Sequence, residues 1–152
     1  MKAMILAGGL GTRLSPLTNN KPKALVPFKG VPLLERVVRN IAAAGINHII
    51  VNVHHFAEQV IEFMDHLQIE GVELSVSDET RQLMDTGGAL LHAREFFEGD
   101  EDFLVHNVDV VTNLDISALI KAHTGNEKAM VTMAVKKRTT SRSLLFDKAG
   151  CL

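Results

Sequence analysis

Apolar residues along the chain follow two alternating rhythms, one continuous or period-two and one with the 3.6-residue spacing of a helix. Residues 2–7 (KAMILA) form a short buried strand that runs straight into glycines. Residues 32–44 predict a helix, with Pro32 suited to its first turn, Gly45 to its stop, and Leu33, Leu34, Val37, Val38 and Ile41 on one face. Strand-like runs at 48–53, 72–77, 103–111 and 129–136 alternate with helical patterns at 57–67, 87–97 and 116–123. Within these, Val60, Ile61, Met64 and Leu67 share a stripe, and Leu90, Ala93 and Phe97 point inward. The β-α-β-α-β-α-β-α-β order predicts an α/β fold, a mostly parallel sheet with helices on both faces. Ligands in such sheets sit beyond the carboxyl ends of the strands, which directs attention to residues 8–13, 54–56, 78–88 and 107–113.

The chain has 152 residues, 46% hydrophobic and 22% charged, enough for one domain with a real core. No apolar run approaches the ~18 residues of a membrane span, so no membrane role is expected. One cysteine, Cys151, excludes an internal disulfide and a multi-cysteine zinc site and suits a reducing cytoplasm. Residues 1–39 carry seven basic side chains against one acid, Glu35, while the remainder holds nine basic and seventeen acidic residues. That asymmetry points to a local anion site rather than a nucleic-acid surface. Residues 143–146 begin another strand and 147–150 form a good turn, yet a hairpin needs a returning strand. The expectation is therefore a chain cut from something longer.

The strongest chemical signal is Leu6-Ala7-Gly8-Gly9-Leu10-Gly11-Thr12-Arg13. Three glycines in four positions after a buried strand permit sharp turning and close approach of backbone N–H groups to phosphates. A Walker A loop is excluded, because no Gly-Lys-Ser/Thr occurs, and a dinucleotide fingerprint starting at Gly9 fails at Leu14, where a small residue is needed. All four prolines fall between Pro16 and Pro32, with Lys21 and Lys23 among them. Prolines stiffen a loop, so a lysine there can be aimed with less entropy loss. Asp109 lies in the apolar run 108–111 at the end of what the pattern makes a central strand, and it is a candidate Mg²⁺ ligand. Asp115 better suits the role of a cap for the next helix. Asp85-Thr86-Gly87-Gly88 opens a helix, either as an ordinary N-cap or as a backbone that a flat ring can approach. The seven histidines lack metal-protease spacing and are placed in loops or on the surface, as is the polar stretch 138–142.

Assembled, these residues resemble the sugar-phosphate nucleotidyltransferases. The similarity rests on Gly8-Gly9-Leu10-Gly11-Thr12-Arg13-Leu14, Pro16-Leu17-Thr18, Lys21-Pro22-Lys23 and Leu25-Val26-Pro27 in that order, and it runs from Met1 to about Val135. Residues 85–88 and 103–110 look most like the N-acetylmuramate-1-phosphate uridylyltransferase and mannose- or heptose-1-phosphate guanylyltransferase branches. The resemblance implies a Rossmann-like sheet of the nucleotide-diphospho-sugar transferase type, with residues 1–152 as the nucleotide-binding part of a single domain truncated at its C-terminus. It implies transfer of a nucleoside monophosphate from a triphosphate, UTP or GTP, to a sugar-1-phosphate, with Mg²⁺ as cofactor. Leu6, Ala7, Gly8, Gly9, Gly11 and Thr12 would surround the nucleotide. Arg13 would hold the departing pyrophosphate and Lys23 the α-phosphate. Thr86, Gly87 and Gly88 would face the base, Asn107 the ribose, and Asp109 the metal. A homo-oligomer is compatible with it. Two departures stand out: the family's usual Gly-Asp pair is Val108-Asp109 here, and the later half that supplies the sugar pocket is missing. The rival readings are a non-catalytic nucleotide-binding or regulatory domain on the same fold, and a nicotinamide-dependent oxidoreductase, which Leu14 disfavours.

Overall fold

A computed structural model describes residues 1–99, 102–136 and 145–148, which divide into two units, residues 1–117 and 118–152. The first unit is built on four parallel strands: β1 (Lys2–Leu6), β4 (His48–Val53), β5 (Glu73–Asp78) and β6 (Phe103–Asn107). A two-stranded antiparallel ribbon of β2 (Pro27–Phe28) and β3 (Val31–Pro32) precedes helix α1 (Leu33–Ala43), followed by α2 (Ala57–His66) and α3 (Thr86–His92). Helix α4 (Ile116–Thr124) starts in the first unit and continues into the second. In the second unit the chain leaves α4 through a turn closed by Ala129 N–H on the Asn126 carbonyl, and His123 Nδ1 lies 2.8 Å from Thr132 Oγ1.

The spatial order is β5-β4-β1-β6. From β1 the chain moves outward to β4 and β5, then returns past β1 to lay down β6. Parallel crossovers are right-handed, so this reversal places α3 on the opposite face from α1 and α2. Burial agrees. Met4 and Ile50, partners in register, pack with Ala89, Ala93 and Phe97 on the α3 side. Ala3, Ile5, Ile49, Val51 and Val53, which point the other way, are equally buried, as is the α1 stripe Leu33, Leu34, Val37, Val38 and Ile41. Helix α1 ends as its sequence predicts. Gly45 takes φ +86°, its N–H reaches the Ala42 carbonyl, and Ile46 N–H reaches that of Ile41. Pro32 stands just outside the first turn, bridged to Pro27.

Four expectations change. Strand β6 stops at Asn107 rather than 111, because β1 has ended: Asn107 pairs with Leu6, Val108 N–H makes the last bond to the Leu6 carbonyl, and a turn from Asn107 to Val110 follows. Nor is β6 central; among the described residues it is an edge strand. The helix expected over 87–97 is α3 plus a tighter 3₁₀ turn, Arg94–Phe97, which sets the Phe97 ring 4.2 Å from that of Phe103. Residues 129–136 form no strand, since no neighbouring strand pairs with them, and Met130, Val131 and Val135 stay exposed. The expected strand start at 143–146 and turn at 147–150 lie partly outside the described residues, and the 138–142 stretch and Cys151 lie wholly outside.

Candidate active site

The strand-order reversal opens at the carboxyl ends of β1 and β6, and the glycine loop and Asp109 both emerge there. The loop leaves β1 buried at Ala7 and Gly8 and becomes exposed at Gly9 and Leu10. Gly11 has φ +69°, a left-handed geometry that suits glycine, and starts a 3₁₀ turn over Thr12–Leu14. Thr18, itself buried, donates its hydroxyl to the Gly11 carbonyl at 2.9 Å and braces that turn. A Cβ at Gly11 would lie 3.0 Å from Thr18 Cγ2, so space and conformation both demand glycine.

Lys23 begins a second 3₁₀ turn, Lys23–Leu25, whose preceding Pro22 is extended, as proline's locked φ allows. Its side chain runs under the glycine loop. A Cβ at Gly9 would meet Lys23 Nζ at 3.2 Å, and one at Gly11 would meet Lys23 Cβ at 3.3 Å. The ammonium ends 3.4 Å from Asp109 Oδ2, with the lysine side chain 14% exposed and the aspartate 44%. The structure thus joins three parts that are far apart in sequence: Gly9–Gly11, Lys23 and Asp109. At that length and exposure the ion pair is weak, so an arriving anion or cation can replace either partner.

Val108 and Asp109 are the central residues of the turn after β6, and they point differently. Val108 is fully buried, while Asp109 is exposed. The branched side chain of Val108 therefore fills the interior and leaves the carboxylate open. Asn107 is exposed beside Leu6 at the ends of the two paired strands. Arg13 is exposed and makes no hydrogen bond or ion pair among the described residues. Asp85 stands at the N-cap of α3 without bonding through its side chain, and Thr86 and Gly87 are exposed in the first turn. A Cβ on Gly87 would meet nothing within 4 Å, so this glycine leaves its backbone open. A cavity of about 560 Å³ lies beside this turn, lined by Gln82, Met84, Asp85, Gly88, Leu91 and His92 among others.

Two features escaped the sequence pattern. The Ala7 and Gly8 amides both donate to Asn52 Oδ1, at 2.6 and 3.2 Å, so those N–H groups are already engaged. Asn52 in turn donates to Glu79 Oε1 at 3.1 Å, and Glu79 is 2% exposed. The one available signal was an asparagine inside the apolar run His48–Val53. His54 lies in the loop after β4, as expected, but is half-buried there with Nδ1 2.7 Å from the Glu79 carbonyl, whereas His106 is half-buried within β6 and so departs from the loop or surface placement expected. Burial pushes the His106 imidazole below its ordinary value, opposed by the Asn107 carbonyl and the Asp109 charge.

A parallel sheet with reversed strand order and a glycine-rich loop at the reversal defines a doubly wound α/β protein with a ligand crevice at the strand ends. Residues 2–143 match the Nucleotidyl transferase family, and the chain belongs to it. It is 39% identical over 151 residues to N-acetylmuramate alpha-1-phosphate uridylyltransferase of Caulobacter vibrioides, a match covering 97% of this chain and 62% of that protein. It is 36% identical to the mannose-1-phosphate guanylyltransferase catalytic subunit beta of Xenopus tropicalis, covering 97% of this chain and 42% of that one. Among solved structures, HddC from Yersinia pseudotuberculosis complexed with GMP-PN superposes with a TM-score of 0.70 at 30% identity, covering 80% of this chain and 53% of that chain. A putative glucose-1-phosphate thymidylyltransferase from Bacillus anthracis gives 0.74 at 26% identity, covering 84% and 51%. The chain thus spans between about two fifths and just over three fifths of the length of these proteins.

Proposed function

We propose that the protein carrying this chain transfers a nucleoside monophosphate from a nucleoside triphosphate to a sugar-1-phosphate, releasing pyrophosphate. The observation that carries the reading is the meeting of an open glycine loop, Lys23 and Asp109 at the strand-order reversal. The named relatives, uridylyl- and guanylyltransferases of sugar phosphates, support UTP or GTP as donor.

In the reaction a phosphate oxygen of the sugar phosphate forms a bond to the α-phosphorus, in line with the bond that breaks to the leaving pyrophosphate. Both reactants are anions, so the protein's work is to cancel repulsion and fix the line of attack. Lys23, stiffened by the proline-rich segment, supplies its ammonium to the α-phosphate as negative charge grows on the equatorial oxygens. Arg13, exposed and uncommitted, takes the β- and γ-phosphates and steadies the leaving group. Gly9 and Gly11 let backbone pass close to the phosphates. The exposed first turn of α3, with Gly87 and Gly88, offers a flat approach for the base, and Asn107 stands near the ribose. No side-chain nucleophile or covalent intermediate is required.

Asp109 fits a magnesium ion: it is a half-exposed carboxylate whose only described ionic partner is one lysine, and Mg²⁺ usually takes one or two carboxylates plus phosphate oxygens. Among the described residues no cluster of three or more acids, histidines or cysteines makes an all-protein cage, which also suits an ion shared with substrate. When bound, Mg²⁺ supplies positive charge across the phosphate oxygens. No described helix is long and apolar enough to cross a membrane, and with one cysteine we place the reaction in a reducing, cytoplasmic setting.

The test is pyrophosphate release by the full-length protein from each common triphosphate, with a panel of sugar-1-phosphates and added Mg²⁺. Release that depends on both substrates supports the reading. Tight triphosphate binding with no turnover on any acceptor would favour a regulatory domain instead.

A further inference from the structure

We infer that Asn52 and Glu79 form a buried positioning pair that holds the glycine loop in its nucleotide-binding shape. The inference rests on the nucleotidyl-transfer reading and names residues of the same site that no motif contains.

The geometry is a relay. Asn52 sits at the carboxyl end of β4, 4% exposed, and its single Oδ1 accepts from two successive backbone amides, Ala7 and Gly8, where the chain leaves β1. One acceptor shared by consecutive N–H groups sets the direction in which the loop departs. An asparagine can present either its oxygen or its nitrogen, and Glu79 decides which, because its Oε1 accepts from Asn52 Nδ2 at 3.1 Å. Glu79 is anchored in turn, with its N–H on the Val53 carbonyl. Gly8 belongs to the same arrangement. A Cβ there would stand 2.9 Å from Asn52 Nδ2, so the close approach of the asparagine itself calls for glycine at this position.

Stability alone does not explain the cluster. Glu79 Oε2 and the hydroxyl of Ser77, the register partner of Asn52, are buried without hydrogen-bond partners among the described residues. Apolar side chains in β4 and β5 would avoid that desolvation penalty. What the polar cluster provides, and a hydrophobic one could not, is an oriented acceptor beneath the loop.

The relay can be reversed in polarity, which gives the test. In N52D the donor to Glu79 is lost and two carboxyl groups meet in a buried site. In the N52D/E79Q pair the carboxylate accepts from the Ala7 and Gly8 amides while the glutamine amide donates to it, so the charge count and both contacts return. N52L keeps the branched outline, at a somewhat larger volume, and removes the acceptor. The experiment measures kcat and KM for both substrates in the full-length protein, triphosphate affinity by calorimetry, and amide exchange at Ala7 and Gly8. N52L and N52D should each raise KM and the dissociation constant for the triphosphate about tenfold or more, the scale of one lost buried hydrogen bond to a positioned group. The sugar-phosphate KM should hold, exchange at the two amides should quicken, and N52D/E79Q should recover to within about threefold of wild type. If the double variant is no better than N52D, or if N52D matches wild type, the inference is overturned. If N52L does not fold, the comparison of N52D with N52D/E79Q decides alone. A wild-type protein that binds no triphosphate overturns the functional reading and this one together. A wild type that binds, with variants unmoved, overturns this one only.

Discussion

At the level of single residues, the charges of the candidate site carry no strong mutual commitment. Arg13 has no described partner, and Lys23 and Asp109 are 3.4 Å apart. Removing Arg13 as Arg13→Ala should leave the fold intact and lower turnover by about 10²–10³, the usual cost of one transition-state contact of ~3–4 kcal/mol. Lys23→Ala should be comparably severe, whereas Lys29→Ala, in the exposed turn between β2 and β3, should be mild; steady-state kinetics checks all three. Gly9→Val places its first carbon 3.2 Å from Lys23 Nζ and fills the space a phosphate would need, so calorimetry should detect no triphosphate binding. Asp109→Asn keeps the shape and removes the charge. Activity should collapse and recover only partly at high Mg²⁺, while the metal-free melting temperature should hold, since the exposed pair with Lys23 contributes little. A variant that melts far below wild type with an unchanged magnesium dependence would make Asp109 a structural residue.

Elements show where local sequence preference and tertiary demand agree. Helix α1 carries its buried stripe in eleven residues, with its proline entry just before them and its glycine exit just after, and pattern alone delimits it nearly to the residue. Gly45→Ala would force a side chain into φ +86° and should destabilise by about 1 kcal/mol in denaturant melts without affecting kinetics. Strand β6 carries a pH dependence. Burial holds the folded-state pKa of His106 below the ordinary 6.5, so the unfolded chain takes up its proton first as pH falls. Stability from this group is complete above about pH 6.5 and is lost as pH drops below it toward the folded value. His106→Gln should flatten that part of a melting-temperature profile; an unchanged slope would assign the acid sensitivity elsewhere.

For the whole molecule, the reversal of strand order is what turns separate motifs into a site. The two long-range partners of β1 are β4 on one side and β6 on the other, and both bring their carboxyl ends to the glycine loop. A ligand bridging the loop, Lys23 and Asp109 binds only the folded state, so it should raise the melting temperature in a concentration-dependent way. Triphosphate with Mg²⁺ should shift the full-length protein upward, by a margin expected to shrink in Lys23→Ala. An equal shift in that variant would place the nucleotide away from this loop.

Some of this was written in the chain itself. Glycine spacing, confined prolines and alternating apolar periods are local properties, each decided by a backbone conformation or a helix face, and they sufficed for the α/β class and for singling out Gly8–Arg13, Lys23 and Asp109 as candidates. Long-range pairing was not legible. That Lys23 meets Asp109 depends on β6 lying beside β1, a contact between segments 86 residues apart. Where β6 ends depends on the length of its partner, and residues 129–136 are extended in composition yet form no strand without one. Asn52 and Glu79 are the clearest case. In sequence they are a polar residue in an apolar run, which is the only mark Asn52 carries, and an acid after a strand, which marks nothing. Only the parallel register of β1, β4 and β5 brings both beneath the glycine loop, because a hydrogen bond is decided by where atoms meet and not by what precedes them in the chain.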